Sequence, residues 1–127
     1  MSDTSGRASE WTFSDSGAIR GFHAHVYFDA NTVVAARALC EAASARFPVR
    51  MGRVHEKLVG PHPRFSCQLA FEPPVLGDLL SWLALNRQGL TVFVHPQTGD
   101  DLTDHTNHAI WMGQMLELDL DVLKRHG

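Results

Sequence analysis

Residues 21–29 read GFHAHVYFD. Phe22, Ala24, Val26 and Phe28 alternate with His23, His25, Tyr27 and Asp29. A period of two marks a strand with one apolar and one polar face. The apolar set has to lie against a core, so the polar set, with its two histidines, points the other way. The Cβ atoms of His23 and His25 then sit roughly 6–7 Å apart, twice the rise per residue. Two imidazoles at that spacing can reach one metal ion.

The rest of the chain fits around this strand. Asn31 or Thr32 can cap a helix, whose apolar stripe is Ala36, Leu39, Cys40, Ala43 and Phe47. Pro48 ends it. VRMGRVHEK at 49–57 is a second strand with a weaker pattern, and Gly60, Pro61 and Pro63 make a turn. FSCQLAF at 65–71 is a third strand, with Phe65, Cys67, Leu69 and Phe71 on one face. Pro73 and Pro74 open a second helix, Leu76, Leu79, Leu80 and Leu83 repeat at helical spacing, and Gly89 stops it. LTVFVH at 90–95 is a fourth strand, and PQTGDDLTDHTNH at 96–108 is a polar loop. Leu116, Leu118 and Leu120 alternate with charges and predict a short fifth strand. The order β-α-β-β-α-β is the ferredoxin-like pattern of the α+β class: an antiparallel sheet in the order 4-1-3-2 with both helices on one face. The expected division is a loose Ser-, Gly- and Asp-rich arm at 1–17 and a single domain at 18–127.

Composition sets the outer limits. The 127 residues suffice for one domain, and 44% apolar with 20% charged residues is ordinary for a globular chain. A net charge of −3 gives no ground for a nucleic-acid partner. No apolar run nears the roughly 18 residues of a membrane span, and the first residues lack the order of a signal peptide. Cys40 and Cys67 form no CxxC pair, which fits two buried thiols in a reducing compartment. A cytoplasmic location is expected. The unusual count is eight histidines against one tyrosine.

In that topology strands 1 and 3 are expected to run parallel and strands 2 and 4 the other way, so one sheet edge collects seven histidines. These are His23, His25, His55, His62, His95, His105 and His108. His126 belongs to the tail. Each motif has a plainer reading: HxH as a polar outer face, GPHP as a turn, DHTNH as a capped turn. Their convergence from separate segments favours a site. His23, His25 and His95 are the expected metal ligands, with Glu56 the carboxylate nearest that edge. An open-face position leaves His25 little packing, so His25→Ala is expected to cost no more than about 1 kcal/mol. Arg53, Arg64 and Arg87 are candidates for a substrate carboxylate, though each also reads as a surface charge. Trp82 and Trp111 read as core or as cover for the pocket. No P-loop, GxGxxG, Ser-His-Asp order or zinc-finger spacing is present.

HAHVYFD at 23–29, VGPHP at 59–63, WLALNRQGL at 82–90, VHPQTGDDLTDHT at 94–106 and HAIWMG at 108–113 together resemble the DOPA 4,5-dioxygenase family. The resemblance runs from about residue 21 to 118. It implies a small ferredoxin-like enzyme that opens a catechol-type ring with O2 (extradiol cleavage), using a histidine-held non-haem Fe(II). Another divalent ion such as zinc is the alternative occupant. Imidazole and carboxylate ligands with open positions suit Fe(II). His62 and His105 are then expected as general base or acid, and Tyr27 as a pocket wall.

Other classes compete. One is a metal-binding module without turnover. Another is a cofactor-independent ferredoxin-like oxygenase or isomerase, and a third is a domain with no site. A homodimer is also expected, because Phe93, Tyr27, Trp111 and Met115 would leave apolar surface on the uncovered face. The competing arrangement is a monomer whose own C-terminal strand folds over the sheet.

Overall fold

The computed structural model describes residues 11–126. Most of the expected arm, 1–10, lies outside the described residues. Five strands form one sheet: β1 (Gly21–Phe28), β2 (Arg50–His55), β3 (Phe65–Phe71), β4 (Val92–Gln97) and β5 (Ile110–Met112). The helices are α1 (Val33–Arg46), α2 (Leu76–Asn86), the single turn α3 (Asp101–Asp104) and α4 (Leu120–His126). Short 3-10 turns stand at Ser16–Ala18 and Pro73–Val75. The strand order is β2-β3-β1-β4-β5, which is the ferredoxin-like order with one strand added beside β4.

The alternation in β1 sets the two faces. Phe22, Ala24, Val26 and Phe28 join Leu39, Cys40, Cys67, Leu69, Leu79, Leu83, Val92 and Val94 in one buried core beneath α1 and α2. Before α1, the Asp29 carboxylate accepts from the backbone N–H groups of Asn31 and Thr32, and the Thr32 hydroxyl accepts from the Asp29 N–H. The capping signal at 31–32 thus works through its neighbour. α2 stops where Gln88 and Gly89 take φ of 53° and 79°, left-handed backbone that glycine adopts without penalty. Both cysteines are buried and free. Leu79 is fully buried, so Leu79→Ala should lower unfolding stability by roughly 2–5 kcal/mol, read as a shift in the urea midpoint. A shift worth under about 1 kcal/mol would place Leu79 outside the core.

Three sequence expectations need correction. β1 is antiparallel to both β3 and β4, and β2 is antiparallel to β3, so β1 and β2 run together while β3 and β4 run the other way. A right-handed crossover through α1 requires this, since β1-α1-β2 is a parallel unit with β3 inserted between its strands. The fifth strand is Ile110–Met112, not the leucine stretch at 116–120. Leu120 instead begins α4, whose Leu123 is buried. Finally, the face opposite α1 and α2 is not open. Tyr27, Phe93, His25 and His95 on it are each at most 4% exposed. They are roofed by the β2–β3 loop, by Trp111 stacked on Phe93 at 4.5 Å, and by the C-terminal segment, where the Asp119 N–H donates to the Pro61 carbonyl.

Candidate metal centre

The register pairs His23 with His95 directly across β1 and β4, and His25 with Phe93 one step along. Opposed residues share a face, so three imidazoles meet on the roofed side. One ring nitrogen from each of His23, His25 and His95 lies within 4.8 Å of the other two. The Nε2 atoms of His25 and His95 are 3.2 Å apart. Two ligands on metal–nitrogen bonds of about 2.0–2.1 Å, opened to roughly 100°, stand at that separation. The donor set therefore fits a divalent ion.

Tautomers are set by the surroundings. The Nδ1–H of His95 donates to the Pro96 carbonyl at 2.9 Å, which leaves Nε2 as a bare lone pair toward His25. Fixing the far nitrogen of a ligating histidine in this way orients the ring. Burial, and then the neighbouring imidazoles, keep all three rings neutral. His25 is pulled well below the usual histidine range by burial and next by His62. His95 is pulled down to about 3 by burial and His105, and His23 is lowered by burial, His105 and the Arg50 guanidinium.

Two more histidines stand against the triad. His62 packs on His25 with ring centroids 4.1 Å apart, and its Nδ1 is 2.7 Å from the Tyr27 hydroxyl. Burial, with His105 and His23, lowers His62 to about 4, and burial pushes the Tyr27 phenol up. His105 stacks on His95 at 3.9 Å, and its Nδ1–H donates to the Asp101 carbonyl, leaving Nε2 free. Phe93 is the floor, with ring centroids 5.8, 5.5 and 5.7 Å from those of His25, His95 and His105.

The expected site residues divide accordingly. His23, His25, His95, His62, His105 and Tyr27 come together. Glu56 and His55 do not join the triad. β2 runs parallel to β1, so its end lies at the Tyr27–Phe28 end of the sheet, where His55 pairs with Ser66. Glu56 follows it and is exposed. His62 arrives by another route than strand order: the loop folds back over the sheet, with Gly60 at φ 54°. His108 turns away and donates to the buried Asp104. Burial pushes the Asp104 carboxyl up, but donors from Thr98 and His108 outweigh it and hold the group below its ordinary range. Arg87 is spent on the Leu90 carbonyl, and Arg53 and Arg64 are exposed. His25 is 4% exposed and packed between rings, so its removal leaves a hole, and the cost of His25→Ala rises above the expected figure.

The family model described as the Dopa 4,5-dioxygenase family matches residues 22–122. The chain belongs to the Dopa 4,5-dioxygenase family. It is 41% identical over 124 residues to an uncharacterized 21.2 kDa protein of Botryotinia fuckeliana, covering 87% of this chain and 67% of that one. It is 30% identical over 111 residues to a DOPA 4,5-dioxygenase of Amanita muscaria, covering 80% of this chain. It spans about half, 49%, of that fungal enzyme's length. The crystal structure of a Nostoc punctiforme protein provisionally called a dioxygenase superposes with a TM-score of 0.89 at 43% identity. That match covers 91% of this chain and all of the other. Family and neighbour together support an enzyme of the dioxygenase type, and the three histidines can hold the metal such an enzyme would use. Among the described residues no helix is long and apolar enough to cross a membrane.

Proposed function

We propose that the protein is an extradiol-type dioxygenase that opens a catechol ring, with His23, His25 and His95 holding a non-haem Fe(II). The observation behind this reading is the triad itself: three neutral imidazoles whose ligand atoms lie within 4.8 Å, beside two histidines the triad does not use. Bound there, Fe(II) would supply open positions for the diol oxygens and O2. Zinc fits the same donors and is the expected occupant of an unreactive preparation.

The residues supply proton transfer and shielding. His105 presents a bare Nε2, the form that can take a proton from a catechol hydroxyl. His62 and Tyr27 form a two-way relay. When Tyr27 donates to Nδ1, the His62 Nε2 carries a proton to give. When Tyr27 accepts from Nδ1–H, Nε2 is a base. Phe93 and Trp111 give a flat aromatic wall, and the loop at 56–64 with the C-terminal segment keeps bulk water off the ring. The balance needs no external reductant. The carbon–carbon bond beside the diol breaks, and both oxygen atoms of O2 enter the product as an aldehyde and a carboxylic acid. Two-fold pairing stays part of the proposal. Tyr27 and Phe93 are covered within one chain, so it rests on Ile110 and Met115, 37% and 75% exposed.

The test is to load chelator-treated protein with Fe(II) without oxygen, add a catechol, admit isotopically heavy O2, and follow the yellow ring-opened product. Both heavy atoms should appear in it. A quinone without heavy oxygen, or no reaction by protein that has taken up iron, would reject the reading. Light scattering on the same sample should give about twice the 14.1 kDa chain mass.

A further inference from the structure

The row that holds the metal site continues across the sheet. His95 faces His23, His23 faces Ala70, and Ala70 faces Arg50. Opposed residues point to one face, so Arg50 stands on the site side, two strands from His23 and about 10 Å away along the backbone at ~4.8 Å per strand. The only residue between them in this row is Ala70, whose small side chain is buried yet lines a cavity on the Arg50 side. The Arg50 charge is felt at His23, whose basicity it lowers after burial and His105. Among the described residues Arg50 has no carboxylate in ion-pair contact.

This cavity, of about 180 Å³, opens at the end of the sheet just beyond His23. Arg20, Arg50, Ala70, Glu72 and Gln97 line it. Gly21, opposite Gln97, has no side chain, and the Gln97 side-chain oxygen Oε1 and the Phe71 carbonyl oxygen each stand 3.2 Å from where its Cβ would be. Two arginines against the single Glu72 make the lining net positive in formal charge, with the Arg20 guanidinium lying beside Gly99.

We infer that this cavity is an anion subsite of the ring-cleaving centre, with Arg50 the residue that selects a carboxylate on the substrate's side chain. The inference rests on the function proposed above. A ring seated on the triad puts a short side chain across Ala70, and the gap of one to two strand spacings, ~5–10 Å, suits two or three atoms between ring and carboxylate. Arginine suits the role because its planar fork binds both carboxylate oxygens at once. Arg20 supplies the second positive group, and Glu72 sets the limit on how much negative charge the cavity accepts.

The probes are dihydrocaffeate and propylcatechol, which share the ring and the chain length and differ in the carboxylate. Binding to metal-loaded protein is measured by calorimetry without oxygen, so the result does not depend on turnover. The wild-type chain should bind dihydrocaffeate more tightly. Arg50→Met should weaken that ligand by about 10- to 150-fold, the loss of hydrogen bonds to a charged group, and leave propylcatechol within about twofold. Metal content and the thermal midpoint should not change, since Arg50 is exposed. Arg53→Met, on the same strand but outside the cavity, should leave both affinities alone. Equal affinity of the wild-type chain for the two probes, failure to bind either, or an equal loss for both in Arg50→Met would overturn the subsite. Tight, Arg50-dependent binding without ring opening under air would uphold the subsite and sink the proposed reaction instead.

Discussion

Replacing His95 by alanine is expected to empty the metal centre and to lower ring cleavage by at least about a hundredfold. Substitution of groups that only support a ligand already costs roughly 10- to 100-fold in metal affinity or activity, and a ligand itself should cost more. His95 is the only member of the triad on β4, and its ring is fixed at both ends. The Nδ1–H is held by the Pro96 carbonyl, and Nε2 stands 3.2 Å from the Nε2 of His25. Nothing nearby repeats that arrangement. His105, stacked at 3.9 Å, already commits its Nδ1–H to the Asp101 carbonyl and would have to leave the α3 turn to replace it. Metal content of the purified variant is the direct readout. Added imidazole should restore part of both metal and activity by filling the vacated space, which a purely structural defect would not allow. His108→Ala is the matched control, because its ring faces Asp104, and metal content should survive it. Full metal occupancy in His95→Ala would remove His95 from the ligand set.

Much of this site is visible in the chain, and the reasons separate cleanly. Period two in residues 21–28 fixes the faces of β1 without knowledge of any neighbour, so His23 and His25 fall on the correct side. β4 has the same property through Val92, Val94 and Pro96 against Phe93 and His95. Strand direction is not a local property. Taking β1 and β3 as parallel brings His55 and Glu56 to the wrong end, and only the handed crossover through α1 corrects it. His62 is reached in spite of that error, because the path of a nine-residue loop, 56–64, leaves no periodic trace. The roof is equally hidden. Leu116, Leu118 and Leu120 alternate like a strand, yet Leu120 and Leu123 belong to a helix, whose single spacing of three is too short to break the period-two pattern before it. Arg50 is hidden in the sequence for a related reason. Its place in the site depends on the register across three strands and on the shift between Met51 and Val54, which no single segment encodes.

The packing that keeps the histidines neutral should make the metal-free protein fail in acid. His62 and His95 titrate at about 4 and about 3 in the fold, chiefly through burial, against 6.5 in an unfolded chain. The sign follows from proton counts. Between pH 6.5 and 4 the unfolded chain binds protons that the fold refuses, and stability rises with pH wherever the unfolded state binds more. Each ring therefore stabilises the fold fully above pH 6.5, and its contribution is lost as pH falls toward its folded value. By pH 5 the loss is on the order of 2 kcal/mol per ring from the linkage relation, and His25, shifted in the same direction, adds to it. That total is a large share of the roughly 5–15 kcal/mol that holds a typical domain together. The urea midpoint of chelator-treated protein should thus fall steeply between pH 7.5 and pH 5. His62→Asn should flatten the slope by about one ring's share, since an amide does not titrate. Metal-loaded protein should be the more stable form at neutral pH, because the ion binds only the assembled triad. It should lose that advantage as protons compete for the same nitrogens. A midpoint that stays level from pH 7.5 to pH 5 in the metal-free chain would mean that the rings charge freely, which is incompatible with a closed cluster of neutral imidazoles.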